Sequence, residues 1–526
     1  MHRFDKRLGV AAIVIAVAAL GAATLGATSS DGVFGAATAK AAQASTCKQH
    51  GSITYGIAGG GVPALDPNTT SSAAAAAVLP LLFNGITNYA QNGTAVPDIA
   101  TKWKASNDLK TWWIYLRHDA KYANGRPFTS ADAVANILRV LDPKVPSQAR
   151  GNIKDFQSVR AITKYEIRIR LGSPSSIVPD QIFLTKMSDT TDIPNVTKSG
   201  NGTGPYKVSS YVPDQTLSLV PSPNYFGPKP CVKEIGFIRQ PDPTSMVTAF
   251  TSGKLDMIWQ IPVADVPKIQ ADKSAHIIKP KTVSSVQAWE LDTTSPPFNN
   301  VLARRALSYA TNRAAMVKVA FLGQATPSLA NDLINATNPA YDKKLAPYTF
   351  NLKKAQQLFT QAGVKPGATL IYWAQAGTHP EWITMAEILQ QDLKKIDINL
   401  DIRQNDISTW LAKFFPAGKK FPGTIVANFL SLQPNPILGL SFATSGKCEC
   451  NWNNAAYDAR LKESFGISDP VKRQAAYNRL QAMVSQSAPV IAIAHQTNIV
   501  AVQNYVAGAW EDPRGNVHLE SVSLTR

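Results

Sequence analysis

The sequence predicts an α/β protein of two lobes. Three observations predict it. The chain has 526 residues, and single cores stop growing at about 250–300 residues. Its first half is rich in short alternating segments, while its second half repeats strand, helix, strand. Past the N-terminal region no low-complexity linker or internal repeat separates the halves, so several chain crossings, as in a hinge, would join the lobes.

The elements follow in order. Ser52 to Ala58 alternates and is β-branched, a strand pattern. Gly59-Gly60-Gly61 then turns the chain, and Ser71 or Ser72 can cap a helix from Ala73 to Phe83. Thr111 to Leu116 reads as a strand, and Asn124-Gly125 as a hairpin-type turn. Thr129 and Asp132 form a capping-box variant, opening a helix whose Val134, Ile137, Leu138 and Leu141 share one face. Tyr165 to Leu171, Tyr206 to Val208 and Thr216 to Val220 are further strands. From Asn300 the periodicity becomes helical. Asn351 caps a helix that Gly363 ends. Thr369 to Trp373, a helix with Ala386, Leu389 and Leu393, and Ile398 to Ile402 make a crossover unit. Asp469-Pro470 opens another helix, and Val490 to Ala494 is a buried strand.

The N-terminal region differs from the rest. Arg3, Lys6 and Arg7 precede an uncharged apolar run from Leu8 to Ala27 and a small-residue stretch from Ala36 to Ser45. That order describes a secretory signal over residues 1–44, with cleavage patterns ending at Ala39, Ala41 and Ala44. An uncleaved anchor is the alternative, since the run can just span a bilayer. Cys47 lies too far downstream for a lipid-attached N-terminus. The expected location is periplasmic or extracytoplasmic and cell-surface associated.

The net charge of +17 is spread as pairs such as Lys343-Lys344 and Lys394-Lys395. Without a dense basic block, nucleic acid is not the expected partner. Four cysteines in an exported chain suggest disulfides. Cys47 and Cys231 each precede a strand candidate and can bridge if those strands lie side by side. Cys448 and Cys450 can pair or stay reduced. No His neighbours them, which argues against zinc.

Enzyme signatures are missing. The seven His residues are dispersed, and there is no His-Glu-x-x-His, Gly-x-Ser-x-Gly or phosphate loop. No catalytic residue, metal or cofactor is assigned. A secreted hydrolase using a carboxylate pair is the enzyme alternative.

Five groups of residues carry a resemblance. The first runs from Gly93 to Trp103, through Ser106-Asn107-Asp108 and Leu116 to Tyr122, to Asn124 through Val134. The second is Gly202 to Val208 with Asn224-Tyr225-Phe226, and the third Ser252-Gly253-Lys254-Leu255-Asp256. The fourth is Pro296-Pro297-Phe298-Asn299 with Arg304 to Ala310 and Asn312-Arg313, and the fifth Lys354-Ala355 through Ala362-Gly363. In this order the chain resembles the oligopeptide, dipeptide and nickel class of ABC importer substrate-binding proteins, the bacterial extracellular solute-binding proteins of family 5.

The resemblance implies a type II periplasmic-binding-protein-like fold with an extra subdomain in the first lobe. Residues 46–295 and 500–526 would form lobe I, with the subdomain at about 85–200, and residues 296–499 lobe II. A monomer would trap a small molecule between the lobes by hinge bending. It would deliver the ligand to permease and ATPase subunits encoded elsewhere. Membrane association would come only through the N-terminal segment or the permease.

Candidate ligand contacts are Gly60 and Gly61, whose loop amides can hold an anion, and Asn84. Trp289, Trp373 and Gln375 lie at strand ends, and Phe429, Ser431 and Gln433 lie in one later stretch. Asp98, Trp103, Gly204, Pro205 and Tyr206 read as turn and packing residues. Peptide-binding relatives carry an Asp near that later stretch for the ligand's ammonium. Here no carboxylate stands between Thr424 and Lys447, so the expected ligand is neutral or anionic, such as a modified peptide or a sugar-like molecule. A nickel-type metal complex is the binding alternative, with His379 and His495 its candidate contributors.

Overall fold

A computed structural model describes residues 49–526 apart from 59–60, 71–72, 148, 260, 279–282, 284, 376–378, 415–419, 432–433 and 513. Strand β1 (Ser52–Ala58) buries Ile53, Tyr55 and Ile57, and helix α1 (Ala73–Leu82) is apolar throughout. Next come β2 (Ala100–Ala105), β3 (Thr111–Leu116), α2 (Ser130–Leu141), β4 (Phe156–Thr163) and β5 (Glu166–Leu171). The Thr129 backbone N–H donates to Asp132 at 2.9 Å, closing the capping box that starts α2. β6 (Tyr206–Val212), β7 (Thr216–Pro221), β8 (Glu234–Gln240), β9 (Met257–Trp259), β10 (Ala275–Ile278) and β11 (Ser285–Leu291) follow. The remainder alternates: α3 (Val301–Ala310), β12 (Thr326–Pro327), α4 (Leu352–Gln361), β13 (Thr369–Gln375), α5 (Pro380–Lys394), β14 (Asn399–Asn405), β15 (Thr424–Ser431), α6 (Ala455–Phe465), α7 (Pro470–Ser487), β16 (Val490–Gln496) and β17 (Val500–Gln503). Asn300, Asn351 and Asp469 cap α3, α4 and α7 through their side chains.

Two large sheets organise the chain. The seven-stranded sheet has the order β10-β17-β9-β1-β8-β7-β6, with β1 parallel to β8 and β9. The six-stranded sheet has the order β12-β16-β11-β15-β13-β14. There β13, α5 and β14 form a parallel strand–helix–strand unit. A four-stranded antiparallel sheet, β2-β3-β5-β4, packs with α2 around its own apolar cluster from Ile86 to Met187.

The chain passes between the large sheets twice, from β10 to β11 and from β16 to β17. This corrects the boundary read from the sequence. Residues 285–291 were assigned to the first lobe, but β11 pairs with β15 on one side and β16 on the other, inside the second sheet. Its side chains are nearly all buried, as a strand covered on both faces requires. By sheet membership the first crossing falls between 278 and 285.

Cys448 and Cys450 lie close together, with Cα atoms 5.0 Å apart. Cys231 is buried just before β8, and the Cys47 half of the other expected bridge lies outside the described residues, as does the N-terminal segment. Among the described residues no helix is long and apolar enough to cross a membrane.

Candidate functional site

A cavity of about 500 Å³ opens between elements of the two large sheets. One wall is the face of α1 carrying Ala75, Ala76 and Leu79, continued by Phe83 and Asn84. The end of α1 is held there by backbone packing. A Cβ on Gly202 would come within 2.2 Å of the Leu82 carbonyl oxygen, and one on Gly204 within 2.3 Å of that of Leu81. Only glycine lets the Gly202 to Val208 turn lie this close, so this motif works in packing, although Pro205 also touches the cavity. Across from α1 stand Trp259 from β9, Asn498 from the second crossing and Phe429 from β15. The segment from Asp512 to Glu520 closes the site.

Asn84 anchors the charged part of the wall. Its Nδ2 donates to Asp98 Oδ1 at 2.8 Å, and its Oδ1 accepts from Thr203 Oγ1 at 3.2 Å. The Gly85 amide donates to Asp98 Oδ2 at 3.0 Å. Burial pushes the Asp98 carboxyl up to about 6, against the pull of Lys186 and Arg117. Lys186 and Arg514 share this wall, and burial lowers the pKa of each. Both are half-buried because they face the cavity. His518 lies between Glu520 (Nδ1 to Oε1, 3.1 Å) and Asp512 (Nε2 to Oδ2, 3.3 Å) and stacks on Trp510 at 3.9 Å. Burial opposes its charge, but Glu520 and Asp512 hold its pKa up at about 10.

A second cavity of about 450 Å³ lies between Thr94 and Asp180 on one side and Asn335, Asn435, Arg473 and Tyr477 on the other. Asp180 accepts from the Tyr89 hydroxyl at 3.1 Å, and burial raises its carboxyl to about 6.

The structure brings together two of the predicted contacts, Asn84 and Phe429, in the wall of the larger cavity. Four others lie elsewhere. Gly61 packs against the β6–β7 hairpin, where a Cβ would sit 2.5 Å from the Asp214 backbone. Trp289 is fully buried in the core of the second sheet, its Nε1 donating to the Tyr372 hydroxyl at 3.1 Å, because β11 is central rather than at a cleft edge. Trp373 packs beside Phe414 with the Lys413 ammonium 3.6 Å above its ring. Gln375 is buried at the end of β13, away from the cavity wall. Gly60 and Gln433 lie outside the described residues, as does the side chain of Ser431.

The two candidate metal contributors are engaged in local structure. His379 Nδ1 contacts Glu381 at 2.9 Å and its ring stacks on Trp382 at 4.3 Å. His495 Nε2 contacts Asp332 at 2.8 Å in the interior. Among the described residues no group of three or more His, Cys, Asp or Glu could hold a metal ion.

Sequence reasoning missed Lys186, Arg514 and Phe183 and read Asp98 as a turn residue. The one signal was Lys186, a lone cation in the otherwise uncharged run from Gln181 to Ser188. Arg514 sits in an ordinary-looking turn.

Comparison with known proteins bears on this site. The family model for bacterial extracellular solute-binding proteins, family 5, matches residues 94–434. The chain is 26% identical over 493 residues to heme-binding protein A of Haemophilus influenzae, covering 84% of this chain and 87% of that protein. It is 27% identical over 356 residues to the nickel-binding periplasmic protein of Escherichia coli, covering 63% of this chain and 67% of that one. The crystal structure of the ABC transporter substrate-binding protein CtaP of Listeria monocytogenes superposes with a TM-score of 0.81 at 21% identity, covering 91% of this chain and all of that one. The fold is thus the two-lobed type II arrangement of periplasmic binding proteins.

Proposed function

Because the chain belongs to the bacterial extracellular solute-binding proteins of family 5, the substrate-binding components of ABC importers, we propose that it captures one small molecule in the 500 Å³ cavity and presents it to the importer's membrane subunits. The observation that carries this reading is the make-up of the wall. Trp259 comes from the first sheet, Phe429 from the second and Asn498 from a crossing between them. Rotation about the crossings opens or closes such a site, and closure removes the ligand from water. The volume suits a small molecule. The relatives are named for heme and for nickel, so membership alone leaves the ligand open.

Export by the segment 1–44 and action as a monomer outside the cytoplasm complete the reading. Binding without turnover accords with a family of binding proteins. Neither a metal complex nor a hydrolytic reaction is favoured by any side-chain grouping in the cavity.

Native mass spectrometry of the purified protein tests the proposal. The expected result is one small molecule released on unfolding and absent from Ala76→Trp, which fills the cavity from α1. A variant that keeps the molecule would refute the assignment of the site.

A further inference from the structure

We infer that the solute carries an anionic group, a carboxylate or a phosphate, and that Lys186 and Arg514 bind it beside Phe183. This rests on the reading that the larger cavity is the solute site, and it names the chemistry recognised there. The Lys186 Nζ lies 4.6 Å from the centroid of the Phe183 ring, and the Arg514 guanidinium carbon 5.5 Å from it. All three residues line the cavity. Neither cation has a carboxylate within 4 Å among the described residues, and Arg514 Nε is buried with no hydrogen-bond partner. Asp98 acts on Lys186 and Asp512 on Arg514 only from beyond ion-pair distance, so neither cation's donors are taken by a carboxylate.

Elsewhere the protein satisfies such groups. Arg304 donates to the carbonyls of Ser487 at 2.7 Å and Phe298 at 2.6 Å. Arg313 donates to those of Ala492 at 2.7 Å and Ser308 at 3.0 Å. Lys186 and Arg514 depart from this pattern, and they do so together.

The acids of the wall are in the opposite condition. Asp98 accepts from Asn84 and the Gly85 amide. Asp512 accepts from the backbone of Arg514 and Asn516, from the Asn516 side chain and from His518. Glu520 is paired with His518. An incoming ammonium meets carboxylates already committed, while an incoming anion meets N–H donors to spare. Two cations around one aromatic ring, both lining the same cavity, can take a planar carboxylate or a phosphoryl group.

Thermal unfolding of the whole exported protein at constant ionic strength tests this, with sodium acetate or sodium phosphate replacing sodium chloride. The expected result is a rise in midpoint of at least about 2 °C with one of the two, which names carboxylate or phosphate as the group recognised. Lys186→Met and Arg514→Met abolish the rise, and Arg514→Lys keeps part of it. Should one fail to fold, Lys186→Gln or Arg514→Gln reads the same loss. No rise with either anion, or an undiminished rise in the uncharged variants, overturns the inference. The two readings fail separately. Retention of the co-purified molecule by Ala76→Trp removes the cavity assignment. Its loss there, with no anion response in the parent, removes only the anion.

Discussion

Replacing Ser176 by alanine weakens ligand binding although Ser176 lines the second cavity and not the proposed solute cavity. Ser176 follows β5, on the four-stranded subdomain. Its amide donates to the Phe465 carbonyl at 2.7 Å, and its hydroxyl reaches the carbonyls of Phe465 and Ile467, both at 3.0 Å. The Phe465 carbonyl ends α6 and that of Ile467 lies just beyond it, and α6 belongs with the second sheet. Helix C-termini leave carbonyls without intrahelical partners, so a donor from across the cleft is well received there. Opening at the two crossings would break this contact. The hydroxyl has one proton to share between two acceptors, so the substitution removes one net hydrogen bond, about 1 kcal/mol. The amide bond survives. If the open form dominates without ligand, that loss passes directly into apparent affinity, about fivefold. Isothermal titration with the molecule recovered from the parent protein measures it, and small-angle scattering of the ligand-free variant should show no added compactness. Affinity within twofold of the parent, with an unchanged ligand-induced contraction, would refute the assignment of this contact to closure.

Two further outcomes follow from buried charge. Arg126 joins Asp132 and Asp189 at 2.6 Å each, and neither carboxylate is more than 3% exposed, so Arg126→Met should cost about 3 kcal/mol in urea unfolding by stranding both. Burial first, and Glu449 second, hold the Glu290 carboxyl well above its usual range. The folded state therefore binds the extra proton and stability should decline as pH rises between about 5 and 8, a decline that Glu290→Gln flattens in thermal scans.

Much of the local structure was legible because its causes are local. The Thr129–Asp132 box, the Asn351 and Asp469 caps and the left-handed Gly363 each depend on residues within a few positions. Sheet membership was not legible. An apolar alternating run such as Ser285–Leu291 states that it is buried, not which sheet buries it, and the error carried Trp289 to a cleft it never reaches. Asn84 and Phe429 reached the cavity wall, while the strand-end aromatics turned into core.

The charge of the site was illegible for a different reason. The stretch from Thr424 to Lys447 lacks a carboxylate, yet the wall holds three, Asp98, Asp512 and Glu520, contributed by other parts of the chain. Counting acids in one segment therefore cannot decide what an ammonium would find. What decides it is which charges remain uncommitted after folding, and that depends on pairings between distant segments. Asp512, His518 and Glu520 satisfy one another within nine residues, while Arg514, in their midst, does not share in the pairing. Asp98 and Asp512 act on Lys186 and Arg514 only from beyond ion-pair distance, so both cations keep donors free beside one ring. A partner from outside the chain can take those donors, and the cavity in front of them is where it can arrive.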